Sequence, residues 1–315
     1  MKRIKVAVDS LRARRCGSTR HLPENRPLCR EFAAKVTPSI PSVTAREMLD
    51  SQRRSHVGDI HHHLRTSGIL KIRLQFPDDD SQYLERIILN LCAHHGHGPP
   101  TRHSASRGWF WDVRPSSAGL QTRVPLAQSE TMHEFQWHTD CSYESAPPKY
   151  FALQVLQPDR YGGGTLSLMT IAKLAHHLSP AVQKALFEPE FKIKIPPEFS
   201  KHPDKQHIMG SILGLDKMDK SLVVRFREDL IEPMNPRAAA AYAELKDALN
   251  ELAKSPQSML HLTGTDLPEQ SIVILDNYKW LHGRDAIKDP ARHLRRVRWN
   301  AMPFPSVGQG GTAGS

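Results

Sequence analysis

Trp137-His138-Thr139-Asp140-Cys141-Ser142-Tyr143 is the stretch on which the reading of this chain turns. In an extended segment, residues i and i+2 project to the same side. His138 and Asp140 therefore aim an imidazole nitrogen and a carboxylate oxygen at one point. That is two-thirds of a 2-His-1-carboxylate triad, the donor set that leaves positions open on non-haem iron(II). A His-x-Asp triplet alone is common by chance. The reading needs a third histidine, brought from a distant strand.

The chain has 18 histidines, so most are decoys. His61, His62 and His63 sit together, and His94, His95 and His97 lie at a helix end. None has a convincing acidic or cysteine partner nearby in sequence, and all six are expected to be exposed or capping. The best third ligand is His282, in Leu275-Asp276-Asn277-Tyr278-Lys279-Trp280-Leu281-His282-Gly283-Arg284. It closely follows the apolar run Ser271–Leu275. Beyond it lies Arg292-His293-Leu294-Arg295-Arg296-Val297-Arg298-Trp299. Leu294, Val297 and Trp299 are interleaved with the arginines, so part of this strand should be buried. A buried arginine needs an anion, and a carboxylate suits its fork.

Taken together, these stretches resemble the taurine dioxygenase (TauD/TfdA)/clavaminate synthase-like group of iron(II)- and 2-oxoglutarate-dependent oxygenases. The group shows His-x-Asp or His-x-Glu, then Thr or Ser, then a distal His, then an Arg. Thr165 and His282 follow Asp140 at positions that suit this order, and the Pro147-Pro148 pair before an apolar strand matches as well. The resemblance runs from about Gln128 to Trp299.

The resemblance implies a mostly β fold with flanking helices around a double-stranded β-helix, the cupin-like jelly roll. It implies Fe(II) held by His138, Asp140 and His282, with 2-oxoglutarate as cosubstrate and O2 as oxidant. Thr165 and an arginine of the last strand would hold the far carboxylate of 2-oxoglutarate. Arg292 and Arg296 have the group's spacing of four and share strand parity, whereas Arg295 should face away. Arg292 is expected to anchor the cosubstrate, with Arg296 as its neighbour or a substrate contact. The link from His282 to Arg292 is slightly short for the group, which keeps Arg296 open as the anchor. Asp140 occupies the place that a halogenase leaves for halide. The implied reaction is therefore hydroxylation, with desaturation or ring closure as variants, on a small molecule such as an amino acid or anionic metabolite of secondary metabolism. Gln128, Glu134, Arg225 and Asp229 are candidate substrate contacts. Asn277 and Trp280 either support His282 or simply pack.

Bulk properties agree with a globular protein. Of the 315 residues, 39% are hydrophobic and 24% charged, as in ordinary globular chains. No apolar run approaches the ~18 residues of a membrane span, and no secretory stretch opens the chain. The four cysteines, Cys16, Cys29, Cys92 and Cys141, form no CxxC pair. That favours a reducing, cytoplasmic setting. The net charge of +10 raises a nucleic-acid alternative. Nine Lys/Arg against two acids crowd Met1–Arg30, but no zinc finger, RNA-recognition motif or stacking series accompanies them. A third reading is a catalytically silent jelly-roll binding module, against which the retained His138, Asp140 and His282 speak.

Patterning divides the chain into an irregular basic lead-in (1–43), one oxygenase domain (44–302) and a disordered tail (303–315). Thr44 and Glu47 have capping-box spacing and predict a helix start. A strand is expected over Leu64–Leu74, with a Ser67-Gly68 turn, then a helix over Asp80–His95 ended by Gly96. Further strands are expected at Trp109–Val113, Tyr150–Leu156, Thr165–Met169, Leu222–Phe226, Ser271–Leu275 and Leu294–Trp299. Thr170, Ser179-Pro180 and Asn235-Pro236 each open a helix.

Overall fold

In the computed structural model, residues 40–102, 108–116, 127–200 and 204–305 are described. The basic lead-in to residue 39 lies outside them. Strands β1 (Ser42–Ala45), β2 (Ile69–Leu74), β3 (Phe110–Val113), β4 (Phe135–His138) and β5 (Pro148–Gln157) come first. Then follow β6 (Leu166–Thr170), β7 (Phe191–Lys194), β8 (His207–Gly210), β9 (Leu213–Leu215) and β10 (Leu222–Val224). The last are β11 (Ile231–Pro233), β12 (Leu260–Leu262), β13 (Ser271–Asp276), β14 (Trp280–Arg284) and β15 (His293–Ala301). The helices are α1 (Arg54–Thr66), α2 (Gln82–His95), α3 (Ile171–His176), α4 (Pro180–Phe187) and α5 (Pro236–Ala253).

Two sheets carry the architecture. The larger runs β1-β2-β13-β5-β15-β3, and the smaller runs β12-β6-β14-β4. Every pairing in them is antiparallel except β1 with β2. Phe151, Leu153 and Val155 of β5 and Val273 and Leu275 of β13 share one apolar cluster with Leu166 and Leu168 of β6 and Trp280 of β14. The sheets thus bury their facing sides against each other, at about 1.5–3 kcal/mol per fully buried large apolar side chain. The outer face of the larger sheet takes Val57, Ile60 and Leu64 of α1 and Leu84, Ile87, Ile88 and Leu91 of α2. Beyond the smaller sheet, Met169 and Leu281 pack with residues of α3, α4 and α5.

Period-two alternation sorts β15. Val297 and Trp299 enter the cluster under α1 and α2, while Leu294 enters the one between the sheets. Arg296 and Arg298 share the parity of Leu294 and are buried there. β13 is buried at all six positions because it is central and covered on both faces.

Four helix signals held, while Leu64–Thr66, expected as strand, form the last turn of α1 and the strand starts at Ile69. Gly96 ends α2 at φ +69°, with its N–H bonded to Leu91 O. Thr170, Ser179 and Asn235 cap α3, α4 and α5 by accepting from Lys173 N, Val182 N and Ala238 N. Thr44, however, does not start a helix. It lies in β1, opposite Arg73, because an open sheet edge outbids a lone local cap. The reciprocal cap falls three residues later, where Glu47 and Asp50 close a 3-10 turn. The chain also stays ordered past 302: Phe304 is buried and its N–H bonds Ser145 O. The remainder of the expected tail, 306–315, lies outside the described residues. No described helix is long and apolar enough to cross a membrane.

Candidate metal centre and adjoining cavity

His138 is the last residue of β4, and Asp140 follows where the strand breaks into a turn. Thr139 fixes the break. Its N–H donates to Phe226 O at 2.7 Å, and its hydroxyl accepts from Phe226 N at 3.1 Å. Asn277, just ahead of β14, grips the Asp140 backbone from the other side. Its Oδ1 accepts from Asp140 N at 2.7 Å, and its Nδ2 donates to Asp140 O at 2.9 Å. β14 then pairs with β4 so that His282 stands directly opposite His138. This register is the physical reason that two histidines far apart in sequence meet.

Asp140 Oδ1 lies 3.8 Å from Nε2 of His138 and 3.8 Å from Nε2 of His282. One ligand atom from each residue falls within 4.8 Å of the others, and among the described residues this is the one such group of three. His138 Nδ1 is 2.7 Å from Gln136 O. A carbonyl only accepts, so Nδ1 carries the proton and Nε2 presents its lone pair to the cluster. Phe135 stacks on His138 with centroids 3.7 Å apart, and Phe151 packs on His282 at 4.6 Å.

The electrostatics match a cation site. Burial, with His282 adding to it, holds the His138 imidazole well below its ordinary value, hence neutral. Burial alone would raise Asp140. The Arg296 and Arg298 guanidiniums overcome it and keep the carboxyl far below the usual carboxylate range. Arg298 Nε donates to Asp140 Oδ2 at 2.6 Å, and Arg296 Nη1 reaches Oδ1 at 3.4 Å. Two imidazoles and one carboxylate, converging from buried positions, fit non-haem iron(II).

The three residues form one wall of a cavity also lined by Phe135, Phe151, Leu153, Leu166, Arg284, Arg292, Leu294 and Arg296. Its arginines are short of acceptors: Nε of Arg284, Nη1 of Arg292 and Nε of Arg296 are buried without a hydrogen-bond partner. Burial, then Arg284, pushes Arg292 down to about 9. Burial, then Arg298, pushes Arg296 down to about 10. Desolvated guanidinium donors facing a cavity suit a carboxylate ligand.

A loop network aims Arg292. Asp159 accepts backbone N–H groups from Tyr161, Gly163, Lys288 and Asp289, tying the glycine turn to the segment before β15. Gly164 sits at φ +65°, and a Cβ there would stand 2.8 Å from Arg292 Nε.

The expected site residues do not all arrive together. His138, Asp140, His282, Arg292 and Arg296 line the one cavity. Thr165 stands just ahead of β6, its carbonyl accepting from Asp285 N. Leu166, not Thr165, is among the lining residues. Arg295 faces away and bonds Asp112, as its parity requires. Gln128, Glu134, Arg225 and Asp229 are not in the lining. Arg225 is buried over the Phe304 ring and donates to Ser211 O. Asp229 pairs with Arg227. Of the decoy histidines, His97 departs from expectation. It is buried, accepts from Trp299 Nε1 at 3.0 Å and contacts His61 at 3.1 Å. Sequence reasoning passed over Arg284 and Arg298. Arg298 carried a signal, since it shares the parity of Arg296 on a strand that alternates strictly.

Comparison with known proteins adds to this geometry. The family model described as taurine catabolism dioxygenase TauD, TfdA family matches residues 24–298. A relative named L-asparagine oxygenase, from Streptomyces coelicolor, is 29% identical over 180 residues, 54% of this chain and 49% of that protein. This chain thus aligns with about half the length of that relative. Among solved structures, asparagine oxygenase in complex with Fe(II), 2S,3S-3-hydroxyasparagine and succinate superposes with a TM-score of 0.59. It is 16% identical over 82% of this chain and 92% of its own. The non-haem iron oxygenase OrfP, in complex with Fe and alpha-ketoglutaric acid, gives 0.59 at 17% identity, over 84% and 95% of the two chains. At such identities these structures testify to the shared fold.

Proposed function

Because the chain belongs to the taurine catabolism dioxygenase TauD, TfdA family, we propose that it is an iron(II)- and 2-oxoglutarate-dependent dioxygenase hydroxylating a small molecule of the amino-acid class. The observation that carries this is the convergence of His138, Asp140 and His282 beside a cavity whose arginines lack acceptors. The two facing antiparallel sheets are, in this reading, the halves of a double-stranded β-helix. A reducing intracellular setting belongs to the same reading.

His138 Nε2, Asp140 Oδ1 and His282 Nε2 would hold the iron. When bound, iron(II) would activate O2, the oxidant, so that one oxygen atom goes to 2-oxoglutarate, giving succinate and CO2, and the other into a substrate C–H bond. Arg292, through its unpartnered Nη1, takes the far carboxylate of 2-oxoglutarate. Arg296 stands between the metal ligands and the cavity, where it meets the near carboxylate or the substrate. Thr165 remains a candidate for the far carboxylate, through a side chain that would turn toward Arg292 on binding. Phe151, Leu153, Leu166 and Leu294 keep the reacting region dry, which strengthens every charge contact inside it. The names of the relatives, asparagine oxygenase and an oxygenase bound to hydroxy-arginine, support amino acids as the first substrates to try. Desaturation or cyclisation would use the same residues.

Anaerobic titration of the iron(II)-loaded protein with 2-oxoglutarate tests the proposal. A weak visible charge-transfer band is expected, and amino acids are then screened for succinate formation. A folded, iron-loaded protein with no such band would overturn the cosubstrate assignment and favour the silent binding module.

A further inference from the structure

Four buried arginines surround the metal centre, and they do not do the same thing. Arg284, Arg292 and Arg296 line the cavity, and each has a nitrogen without an acceptor. Arg298 is not in the lining. It lies behind Asp140, only 4% exposed, and delivers Nε to Oδ2 at 2.6 Å. Its Nε is thus given to the carboxylate and not to the cavity.

The two oxygens of Asp140 are thereby made different. Oδ1 faces Nε2 of both histidines at 3.8 Å, while Oδ2 faces Arg298. Asn277 bonds both the N–H and the carbonyl of Asp140, which fixes the backbone from which the carboxylate projects. The Arg296 contact to Oδ1 is the longer one, at 3.4 Å. It comes from the cavity side, where a ligand can draw it away.

From this arrangement we infer that Arg298 is a positioning residue of the metal centre, holding Oδ2 of Asp140 so that Oδ1 alone is offered to the metal. The inference rests on the reading of His138, Asp140 and His282 as ligands. Its chemical consequence is direct. A carboxylate can bind a metal through one oxygen or through both. With both, it takes up a position that cosubstrate or O2 requires. A charge-assisted bond to one oxygen, in a site where both partners are buried, enforces the one-oxygen mode. Lysine cannot reproduce it, because the bond comes from Nε of a planar fork and not from the chain end.

The test compares wild type with Arg298→Lys and Arg298→Gln, each titrated with Co(II) and followed by visible absorption. Circular dichroism and Tm of the metal-free proteins report folding. Folded variants should bind Co(II) about tenfold more weakly and show an altered absorption intensity, the mark of a changed coordination number. Folded variants with the wild-type spectrum and affinity would overturn the inference, as would a drop in Tm with no spectral change, which a purely structural ion pair produces. Should neither variant fold, the infrared difference spectrum of Co(II) loading on wild type decides. Widely separated carboxylate stretching bands support one-oxygen ligation, and closely spaced bands refute it. Wild type that binds no Co(II) at all sinks the metal-centre reading itself, and this inference with it.

Discussion

At the scale of single residues, the metal centre is a matter of donor identity and of which atoms are left to donate. His138 would offer Nε2 to a metal, because Gln136 O holds the proton on Nδ1. His138→Ala is expected to abolish Fe(II) binding, measured by equilibrium dialysis, and with it any succinate formation. Retained turnover would remove His138 from the ligand set. Arg292 presents an unpartnered Nη1 to the cavity, and a hydrogen bond to a charged group contributes about 1.5–3 kcal/mol. Arg292→Ala should therefore raise the 2-oxoglutarate concentration needed for half-maximal charge-transfer absorbance by about ten- to a hundredfold, with iron still bound. If Arg296→Ala produces that shift instead, the anchor is Arg296. The His-x-Asp pair was legible from period-two geometry alone. The pairing of Asp140 with Arg298 was not, because parity places a side chain on a face without saying which neighbour it meets.

At the scale of elements, loops aim the residues that strands carry. Arg292 precedes β15, and its guanidinium occupies space that only a glycine at 164 leaves. Gly164→Ala must adopt a left-handed backbone and push Arg292 aside. It should cost on the order of 1 kcal/mol in stability by denaturant unfolding and also weaken 2-oxoglutarate binding. A variant that loses stability alone would show that Arg292 tolerates the shift. Helix ends were readable where a local signal had no competitor, as at Asn235 and Gly96. Start signals failed where tertiary contacts offered more. The Asp78 carboxylate takes the N–H groups of Gln82 and Tyr83, so α2 starts at Gln82 and not at the expected Asp80. The strand that carries His282, β14, has no pattern of its own to mark its bounds, because Trp280–Arg284 is buried at every position and shows no alternation.

At the scale of the whole molecule, the charge balance reads differently once burial is known. Arg225, Arg284, Arg292, Arg296 and Arg298 are interior groups, so the basic run before Trp299 is mostly buried, with Arg292 and Arg296 lining the cavity and Arg298 on Asp140, and does not form a basic surface stripe. A second polar assembly lies apart from the metal centre. Trp299 Nε1 donates to His97 Nδ1, which leaves Nε2–H of His97 to donate to His61 Nδ1. Burial, reinforced by His61 and His95, pushes His97 from 6.5 down to about 3. Between those values the unfolded chain binds a proton that the folded protein refuses, so stability falls as pH drops through that window. Burial pushes Asp276 the other way, up to about 6. That contribution has the opposite sign, since the folded protein then holds the extra proton. Urea unfolding of the metal-free protein at pH 7.5 and 5.5 should show His97→Gln losing less stability on acidification than wild type, by about 1 kcal/mol. Equal losses would mean that His97 does not govern the acid limb.

Some of this protein was settled by its sequence alone. The strand alternation and the helix caps follow from local periodicity and side-chain chemistry, which a linear chain records, while His138, Asp140, His282, Arg292 and Arg296 were picked out as candidates by residue type and by the order the family resemblance implies. Other features came only with the tertiary structure. They are the registration of β14 on β4 that sets His282 opposite His138, the position of Thr165 outside the cavity lining and the division of the arginines between cavity and carboxylate. Each depends on which segments pack together across a hundred residues or more, and that is fixed by the burial of whole sheets and not by any local pattern.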